Sequence, residues 1–307
     1  MKLSLIESGG DRFLAIPQGT DNADKGLLNL SKAVACHCAL RGSEPWYPDC
    51  LLSFLTGEYS SPDLRNDLLM VIEKHNLREH LVVSGPIRFL PPVPVPGKIL
   101  ALGRNYAAHA REGGHEPPSE PVFFCKSPLS VIAHEESVVI PPDCGRVDHE
   151  IELAVVIGAR GYRVTRDAAG ALIGGYTILN DVTARDMQKA DMVDSNPWFR
   201  SKSFDTFCPL GPWVVTPDEM PDPLHVDLEL RVNGEVRQSS NTRQMIFDIP
   251  FVLEYITQWI SVAPGDILTT GTPEGISPIH PGDVMEATIQ GIGTLRNPVE
   301  ALKQEHA

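Results

Sequence analysis

The most informative part of the hydrophobic pattern is a run of small and β-branched residues from Ile151 to the glycine at 158. Such a run predicts a buried strand. Glu150 and Glu152 stand two positions apart at its start, and side chains alternate faces along a strand, so the two carboxylates point the same way. Two like charges at the mouth of a buried strand repel each other and lose hydration, which a chain tolerates when a cation lies between them. An edge strand with a solvated acidic face is the alternative.

A second strand is predicted within residues 174–186, with Asp181 at its end, where a short helix begins. A third carboxylate at a strand end can complete a set of three oxygen ligands. Three carboxylates without a nearby Cys or His pair describe a site for a hard cation, Mg²⁺ first and then Mn²⁺ or Ca²⁺. Glu150, Glu152 and Asp181 are therefore the candidate metal ligands.

The first part of the chain predicts a small separate unit. Two segments resemble a hairpin around Gly9-Gly10, and two later segments have helical spacing. These four segments are 1–6, 12–17, 51–55 and 63–75. Four prolines within residues 91–96 exclude a helix or an inner strand and predict an extended linker. We therefore predict domains at 1–96 and 97–307, and a packing role for the first, which gathers no convergent polar groups.

Short strands dominate the pattern after this linker. Residues 226–232 alternate between apolar and polar positions, and Asn233-Gly234 follows as a strong hairpin signal. Asp248 can cap a helix that has one apolar stripe, and three more strands follow it. The pattern predicts a mainly β domain with some α structure, a rolled or sandwiched sheet of the α+β class, preceded by a small α+β domain.

A polar helix after Gly103 carries a candidate base. His109 and Glu112 stand at i and i+3, on one helical face. A carboxylate beside an imidazole fixes its tautomer and raises its basicity, so the pair can act as a general base. A surface pair on a solvated helix is the alternative. The glycines and prolines of residues 113–118 suit a loop that closes over a site.

Composition narrows the classes of partner. The formal net charge is -14, which argues against nucleic acid or an anionic membrane. No apolar run approaches the roughly 18 residues that span a bilayer, and the N-terminus lacks the apolar region of a signal peptide. Cys36-His37-Cys38 looks like a metal-binding fragment, but no second ligand pair follows at zinc-finger spacing. We predict a cytoplasmic protein with reduced thiols.

Five blocks in order resemble the fumarylacetoacetate hydrolase family, in the branch of the acylpyruvases and the 2-hydroxyhepta-2,4-diene-1,7-dioate isomerases. They are Gly103-Arg104-Asn105-Tyr106 with His109 and Glu112, 149–153, 180–186, 202–204 and 268–273. Each block alone is weak, but five in order are specific. The resemblance covers about residues 98–303 and leaves the role of the first ninety-odd residues open.

The resemblance implies a β-roll-like mixed fold, a homodimer and a Mg²⁺ or Mn²⁺ ion, with Ca²⁺ in some members. It implies that the three candidate carboxylates bind this ion. It also implies that His109 and Glu112 form a water-activating pair on a mobile lid, and that Lys202 stabilises charge near the reacting carbonyl.

The same resemblance implies a set of residues that contact the substrate. Gln188 and Thr272 are expected at the 2-oxo acid end. Arg104, Lys126 and Arg185 correspond to polar pocket positions, with a structural ion pair as the alternative for Lys126 and Arg185. Specificity for the distal end is expected from the loops at 110–120 and 189–200.

The implied reaction is hydrolysis of a carbon–carbon bond in a β-diketo acid, such as an acylpyruvate or fumarylpyruvate, through a pyruvate enolate. Decarboxylation of an oxaloacetate-type acid and isomerisation of an unsaturated 2-oxo dicarboxylate are the alternatives on the same site. A non-catalytic binding protein is a remote alternative. By analogy with family members, aromatic catabolism is the expected pathway type.

Overall fold

The computed structural model describes residues 1–18 and 26–303. In the part before the proline-rich segment, the strands and helices are β1 (Lys2–Ser8), β2 (Asp11–Pro17), β3 (Leu27–Asn29), α1 (Leu30–Leu40), α2 (Leu51–Thr56), α3 (Pro62–Lys74), α4 (Arg78–Leu81) and β4 (Arg88–Leu90). The predicted hairpin and the two predicted helices are confirmed. The family resemblance says nothing of this part, so these elements follow from the pattern alone.

The rest of the described chain consists mostly of short strands. They are β5 (Ile99–Gly103), β6 (Val122–Lys126), β7 (Val131–Ile132), β8 (Val138–Ile140), β9 (Val147–Asp148), β10 (Ile151–Ile157), β11 (Ile173–Asn180), β12 (Thr183–Ala184), β13 (Cys208–Val215), β14 (Asp227–Val232), β15 (Glu235–Asn241), β16 (Ile267–Thr269), β17 (Val284–Ile289) and β18 (Gly293–Ala301). The helices are α5 (Ala107–Glu112), α6 (Arg185–Val193), α7 (Phe199–Lys202) and α8 (Ile249–Thr257). Mixed sheets with a minority of helices confirm the predicted α+β class.

Three sheets organise the described strands. The largest has the order β3-β2-β1-β13-β11-β10-β16-β5-β6, with β4 and β7 as side branches. A second has the order β15-β14-β17-β18-β8, and β12 pairs with β9. The antiparallel pairing of β1 with β13 joins Lys2 to Val215, so the N-terminal hairpin extends the sheet of the second part. The boundary at residue 96 stays a prediction.

Strand β10 lies at the centre of the largest sheet, between β11 and β16, and all seven of its residues are buried. Its two faces serve two cores: Leu153 and Val155 pack into one, and Ala154 and Val156 into the other, which also contains side chains of α1, α2 and α3. A strand buried on both faces explains the run of apolar residues in the sequence. The alternative of a solvated edge strand is therefore wrong.

The hairpin turn and the helix cap that the sequence predicts are both present. Asn233 and Gly234 have φ values of 53° and 79° between β14 and β15, and two successive positive φ angles are what a type I′ hairpin needs. The Asp248 side chain accepts a hydrogen bond of 2.9 Å from the backbone N–H of Phe251, which caps α8.

One predicted boundary is wrong. Residues 183–190 are predicted as a helical turn and 191–200 as a loop, but residues 183–184 form β12, α6 continues to Val193, and α7 begins at Phe199. The buried carboxylate of Asp191 accepts a 2.8 Å hydrogen bond from Arg200, which fastens α7 to α6. This contact between two polar side chains is not visible in the pattern of apolar residues. Within the described residues, no helix is long and apolar enough to cross a membrane.

Candidate active site

Three buried carboxylates meet where β10 begins and β11 ends. Glu150, Glu152 and Asp181 each offer an oxygen, and these oxygens lie within 4.8 Å of one another. The antiparallel pairing of β10 with β11 creates the cluster, because it places Ile151 opposite Asn180 and so brings Asp181 beside Glu150. The Asp181 backbone N–H donates to the Glu150 carbonyl at 2.8 Å. The sequence prediction that these three side chains converge is confirmed by this geometry.

Two lysines neutralise much of this acidic cluster. The Lys202 Nζ atom donates to Glu150 at 2.7 Å and to Asp181 at 2.5 Å. The Lys126 Nζ atom lies 2.7 Å from the other Asp181 oxygen and also donates to the Lys202 carbonyl. Both lysines are almost fully buried. The strand β6 and the helix α7 therefore deliver one positive charge each to the ends of β10 and β11.

Arg185, the first residue of α6, adds a third positive charge. Its guanidinium donates to Glu150, to Asp148 at 2.7 Å and to Gln188 at 2.5 Å. Asp148 is fully buried and also accepts from Arg146 at 2.7 Å. The guanidinium is thus held in one plane by three acceptors, and it orients the Gln188 amide at the pocket wall.

The protonation states within the cluster differ. Burial alone raises the pKa of Glu150, but Lys202 and Arg185 outweigh it and hold that pKa well below its ordinary value. Burial and the nearby Asp181 charge raise the pKa of Glu152 well above its ordinary value. Burial alone lowers the pKa of Lys202. The charges of Asp181 and Glu150 raise it by more, so the net pKa lies above its ordinary value and the ammonium group stays charged. Glu152 is the carboxylate whose charge the protein side chains do not compensate.

The donor set fits a hard divalent cation. Glu152 accepts one hydrogen bond of 2.9 Å from the Gly271 backbone N–H, and it faces the negative charge of Asp181. Adding a cation among three carboxylate oxygens removes this repulsion. Carboxylate oxygens with no sulfur or nitrogen ligand suit Mg²⁺, Mn²⁺ or Ca²⁺. Among the described residues, this is the one group of carboxylate, imidazole and thiol side chains close enough to hold an ion.

The His109 and Glu112 side chains meet on α5, as their spacing predicts. The His109 Nδ1 atom lies 3.3 Å from a Glu112 oxygen, and the Glu112 carboxylate accepts from the Gly275 backbone N–H at 3.1 and 3.2 Å. Burial raises the pKa of Glu112, but the bonds to His109 and Gly275 lower it more, so the carboxylate is anionic. The Gly275 contact ties the partly exposed Glu112 to the loop after β16, and the role of the pair as a general base stays a prediction.

A cavity of about 300 Å³ joins these groups. Its walls contain most of the predicted site residues: Arg104, His109, Glu112, Glu150, Glu152, Arg185, Gln188, Lys202 and Thr272. The hydroxyl of Thr272 donates to the Ile151 carbonyl at 2.9 Å and accepts from Gln238 at 2.8 Å, so it braces the wall. Asp181 and Lys126 lie outside this lining and contact each other at 2.7 Å, which for Lys126 is the structural ion pair expected as the alternative.

For loop residues such as Trp198, Phe199 and Arg200 the sequence leaves open whether the side chain faces the substrate or solvent, and Phe124, His115 and Arg146 are not among the candidates. Trp198 packs against Phe124 with 5.4 Å between ring centroids, and both side chains line the cavity. His115 and Arg146 also line it. Both predicted specificity segments, 110–120 and 189–200, contribute to the wall, whereas Phe199 is about half exposed and Arg200 bonds to Asp191. A tryptophan in a loop gives no local hint of which surface it covers.

Comparison with known proteins agrees with this geometry. Residues 98–300 match the model of the fumarylacetoacetate (FAA) hydrolase C-terminal family. The chain therefore belongs to this family, whose members are enzymes with hydrolase, isomerase and tautomerase activities.

Particular relatives span these activities. The chain is 37% identical to a mitochondrial oxaloacetate tautomerase of Bos taurus over 268 residues. This alignment covers 85% of this chain and 82% of that protein. It is similar to a 5-carboxymethyl-2-hydroxymuconate delta-isomerase from Mycobacterium smegmatis, with 34% identity, a TM-score of 0.72 and coverage of 99% and 100% of the two chains. It is also similar to a fumarylacetoacetate hydrolase from psychrophilic Exiguobacterium antarcticum, with 31% identity, a TM-score of 0.78 and coverage of 98% and 100%.

Proposed function

We propose that the chain is a divalent-cation-dependent enzyme that moves a proton at the carbon beside the keto group of a 2-oxo acid, and so interconverts its keto and enol forms. The observation that carries the proposal is the pairing of His109 with Glu112 at 3.3 Å in the wall of a cavity that Glu150 and Glu152 of the acidic cluster also line. A positioned base and an electron-withdrawing centre in one cavity are what this proton transfer requires.

The acidic cluster would hold the cation through Glu150, Glu152 and Asp181. When bound, such a cation supplies a Lewis acid that draws electron density from the 2-oxo acid and makes the neighbouring C–H acidic. Lys202 and Arg185 keep Glu150 ionised, so that its oxygens are ready as ligands. Gln188, held by Arg185, offers its amide to the carboxylate end of the substrate.

His109 is the base in this scheme. Its Nδ1 faces the anionic Glu112, which favours the tautomer with a proton on Nδ1 and leaves Nε2 with a lone pair. Nε2 takes the proton from the substrate carbon, and the resulting imidazolium is stabilised by Glu112. The same nitrogen returns the proton to the carbon or to the enol oxygen, so no water molecule is consumed.

The contacts of Lys202 favour proton transfer over hydrolysis. Hydrolysis needs a further donor that faces the oxyanion formed when water attacks the distal carbonyl. Lys202 is the predicted donor, but its ammonium group is engaged by Glu150 and Asp181. The likeness to the bovine oxaloacetate tautomerase across 85% of this chain supports the same choice.

Hydrolysis of a β-diketo acid is the second candidate. The likeness to the Exiguobacterium hydrolase over the full length of that chain favours it. The His109 and Glu112 pair can activate water as readily as it can move a carbon-bound proton. The two reactions share every group at the 2-oxo acid end and differ in what happens at the distal carbonyl.

The test offers enol oxaloacetate, oxaloacetate and fumarylpyruvate separately to protein that has been stripped of metal and then supplied with Mg²⁺ or Mn²⁺. Loss of enol absorbance, release of CO₂ and release of pyruvate are followed in parallel. The proposal expects metal-dependent loss of the enol without CO₂ or pyruvate. His109→Gln is expected to lower the rate of enol loss by about 100-fold, whereas Arg111→Gln, an exposed change on the same helix, retains the wild-type rate.

The other outcomes separate the rivals. Pyruvate plus a free carboxylic acid from fumarylpyruvate, with no acceleration of enol loss, establishes the hydrolase and overturns the proposal. Release of CO₂ from oxaloacetate that survives His109→Gln indicates a decarboxylase, since that reaction needs the metal more than a base. Turnover that is equal with and without metal contradicts the role of the cation that tautomerisation, hydrolysis and decarboxylation share in these schemes, and so overturns the proposal.

A further inference from the structure

Gln238 is a buried polar residue on an edge strand that otherwise faces solvent. The strand β15 lies at the end of the second sheet, and Gln238 is the one buried residue of its seven, whereas the apolar Val236 is 41% exposed. A β-bulge accompanies this inversion: Leu230 pairs with Gln238 but Arg231 pairs with Val236, so Arg237 is an extra residue. Bulges re-aim side chains and are frequent beside active sites.

The start of β10, which Gln238 faces, has no neighbouring strand on one side. The strand β11 pairs with β10 from Ile151 onward, but within the described chain β16 pairs only with residues 154–156. The backbone N–H of Ile151 instead donates to Gln238 Oε1 at 3.2 Å, and its carbonyl accepts from the Thr272 hydroxyl at 2.9 Å. Two side chains thus take the place of a strand at the residue between the two glutamate ligands, and they keep its buried backbone paired.

The remaining contacts of Gln238 fix the orientation of its amide. Its Nε2 atom donates to the Thr272 hydroxyl and to the Pro273 carbonyl, both at 2.8 Å. Because a carbonyl can only accept and a backbone N–H can only donate, the amide cannot be flipped. Its Oε1 atom also lies 2.9 Å from Nδ1 of His149, whose Nε2 atom lies 2.9 Å from the Ser277 hydroxyl. The amide therefore uses all its donors and acceptors, and such a satisfied buried network specifies one arrangement.

The loop after β16 contacts both halves of the site and packs against the bulge. The Gly271 N–H donates to Glu152 at 2.9 Å, and the Gly275 N–H donates to Glu112 at 3.1 Å. At Gly275 φ is 95°, and a Cβ atom there would lie 2.2 Å from the Arg237 carbonyl, so glycine is required for this close approach. The amide of β15 holds the middle of this loop and thereby joins it to the ligand strand.

We propose that Gln238 is a positioning residue for the cation site: it holds Ile151 and the 271–275 loop, and so keeps the oxygens of Glu150 and Glu152 at the separation that a divalent cation needs. Gln238 does not line the cavity, so it acts through the strand and the loop. The inference rests on the cation of the proposed function and not on its reaction. Residues that orient metal ligands typically contribute about 10- to 100-fold to metal affinity.

Calorimetric titration of the metal-free protein with Mn²⁺ tests the proposal without any turnover. Gln238→Met keeps the length of the side chain but loses its hydrogen bonds, and it is expected to weaken Mn²⁺ binding about 10-fold or more. Tyr59→Phe removes a hydrogen bond from the buried His37 of the N-terminal part. This variant is the control for lost stability and should bind Mn²⁺ as the wild type does. Gln244→Met, at an exposed position just beyond β15, should match the wild type in melting temperature and in Mn²⁺ affinity.

Hydrogen exchange in the metal-free wild type is a second test that needs no folded variant. The Ile151 amide should be protected as strongly as the amides of β10 that pair with its neighbouring strands, because the Gln238 amide replaces a strand there. Nuclear magnetic resonance resolves this single amide. If Gln238→Met does not fold, this measurement decides.

The results that overturn the proposal are distinguishable from failure of the proposed function. Unchanged Mn²⁺ affinity in Gln238→Met, or exchange of the Ile151 amide at the rate of an exposed loop, overturns the role of Gln238 and leaves the reaction standing. Equal losses of Mn²⁺ affinity in Gln238→Met and Tyr59→Phe assign the loss to lower stability, which also overturns it. Failure of the wild type to bind Mn²⁺ removes the cation site, and with it the proposed function.

Discussion

Two polar clusters around buried side chains show how a structural cluster differs from a reactive one in this protein. In the N-terminal part, His37 bonds through Nδ1 to Tyr59 at 2.8 Å and through Nε2 to Asp67 at 2.9 Å. Both ring nitrogens of His37 therefore have a partner. None of these three side chains lines the cavity at the acidic cluster. At the start of β10, by contrast, Glu152 faces Asp181, and the like charges repel.

The comparison teaches that burial alone does not mark a site. The His37 cluster uses opposite or neutral partners and closes on itself, so it adds stability and has no capacity left for a ligand. The acidic cluster keeps Glu152 beside the charge of Asp181, a repulsion that a bound cation or protonation of Glu152 relieves, and it opens into a cavity at Glu150 and Glu152. Incomplete compensation, rather than the presence of polar groups, is therefore the useful criterion.

The largest expected effect comes from removing one of the like charges. Glu152→Gln should lower metal-dependent activity by about 10³-fold, because the cation loses a ligand and about 4 kcal/mol of charge stabilisation. Steady-state rates across a series of Mg²⁺ concentrations measure this loss. Activity that stays at the wild-type level would place the catalytic cation elsewhere.

In the metal-free protein, Glu152→Gln should change how stability depends on pH. The raised pKa of Glu152 means that its contribution to stability is fully present below the ordinary carboxyl pKa of 4.5 and is lost as pH rises through the raised value. The metal-free wild type should therefore melt at progressively lower temperature over this interval, and Glu152→Gln should melt at a more constant temperature. Melting curves in a chelating buffer test this difference, and parallel profiles for the two proteins would contradict it.

Removal of a compensating charge should cost stability. Lys202→Met leaves Glu150 and Asp181 without their shared ammonium group, and breaking a buried pair in this way costs about 3–5 kcal/mol. Urea unfolding without metal measures the loss, and added Mg²⁺ should recover part of it. Lys189→Met, at an exposed position of α6, is the control. If Lys189→Met loses as much free energy of unfolding as Lys202→Met, the loss does not come from the buried pairs of Lys202.

The catalytic pair should show a smaller effect, on rate rather than on stability. His109→Gln should lower the rate of enol loss by about 100-fold, at the lower end of what a positioned base contributes. Among the described residues, His109 has its hydrogen-bond partner in Glu112 and acts on Glu150 only through charge, so the rise in melting temperature on adding Mg²⁺ should persist. If that rise disappears, His109 supports the metal site and does not act as a separate base.

The closed cluster should show the smallest effect, confined to stability. Tyr59→Phe leaves the buried Nδ1 of His37 without a partner, which costs about 1–2 kcal/mol. Activity should not change, because the cluster lines no part of the cavity. A change in the Michaelis constant or turnover number would show that the N-terminal part influences the site.

Predictions from sequence succeeded where the chemistry is local. The side chains at i and i+2 in the acidic strand and at i and i+3 in α5 came together because the geometry of a single element places them on one face. The hairpin at Asn233-Gly234 and the cap at Asp248 are local for the same reason. The domain boundary at residue 96, the homodimer and the cytoplasmic location stay predictions.

The residues that determine the electrostatics of the cavity could not be placed in this way. Lys126, Lys202 and Arg185 come from three different elements, and only the packing of these elements shows which carboxylate each one neutralises. The contacts of Arg104 with Trp198 and His115 are also tertiary. The hydrogen bond from Arg200 to Asp191, which joins α7 to α6, is likewise a contact that the apolar pattern does not show.

The sequence by itself thus determined the strands, the candidate ligands and the candidate base, because periodicity fixes which side chains share a face of one element. Tertiary structure alone decided that β10 is central, that Glu152 is the uncompensated charge and that the Arg104 guanidinium lies over Trp198 beside His115. The reason is physical: the free energy of a buried charge depends on its neighbours in space, and those neighbours come from distant parts of the chain.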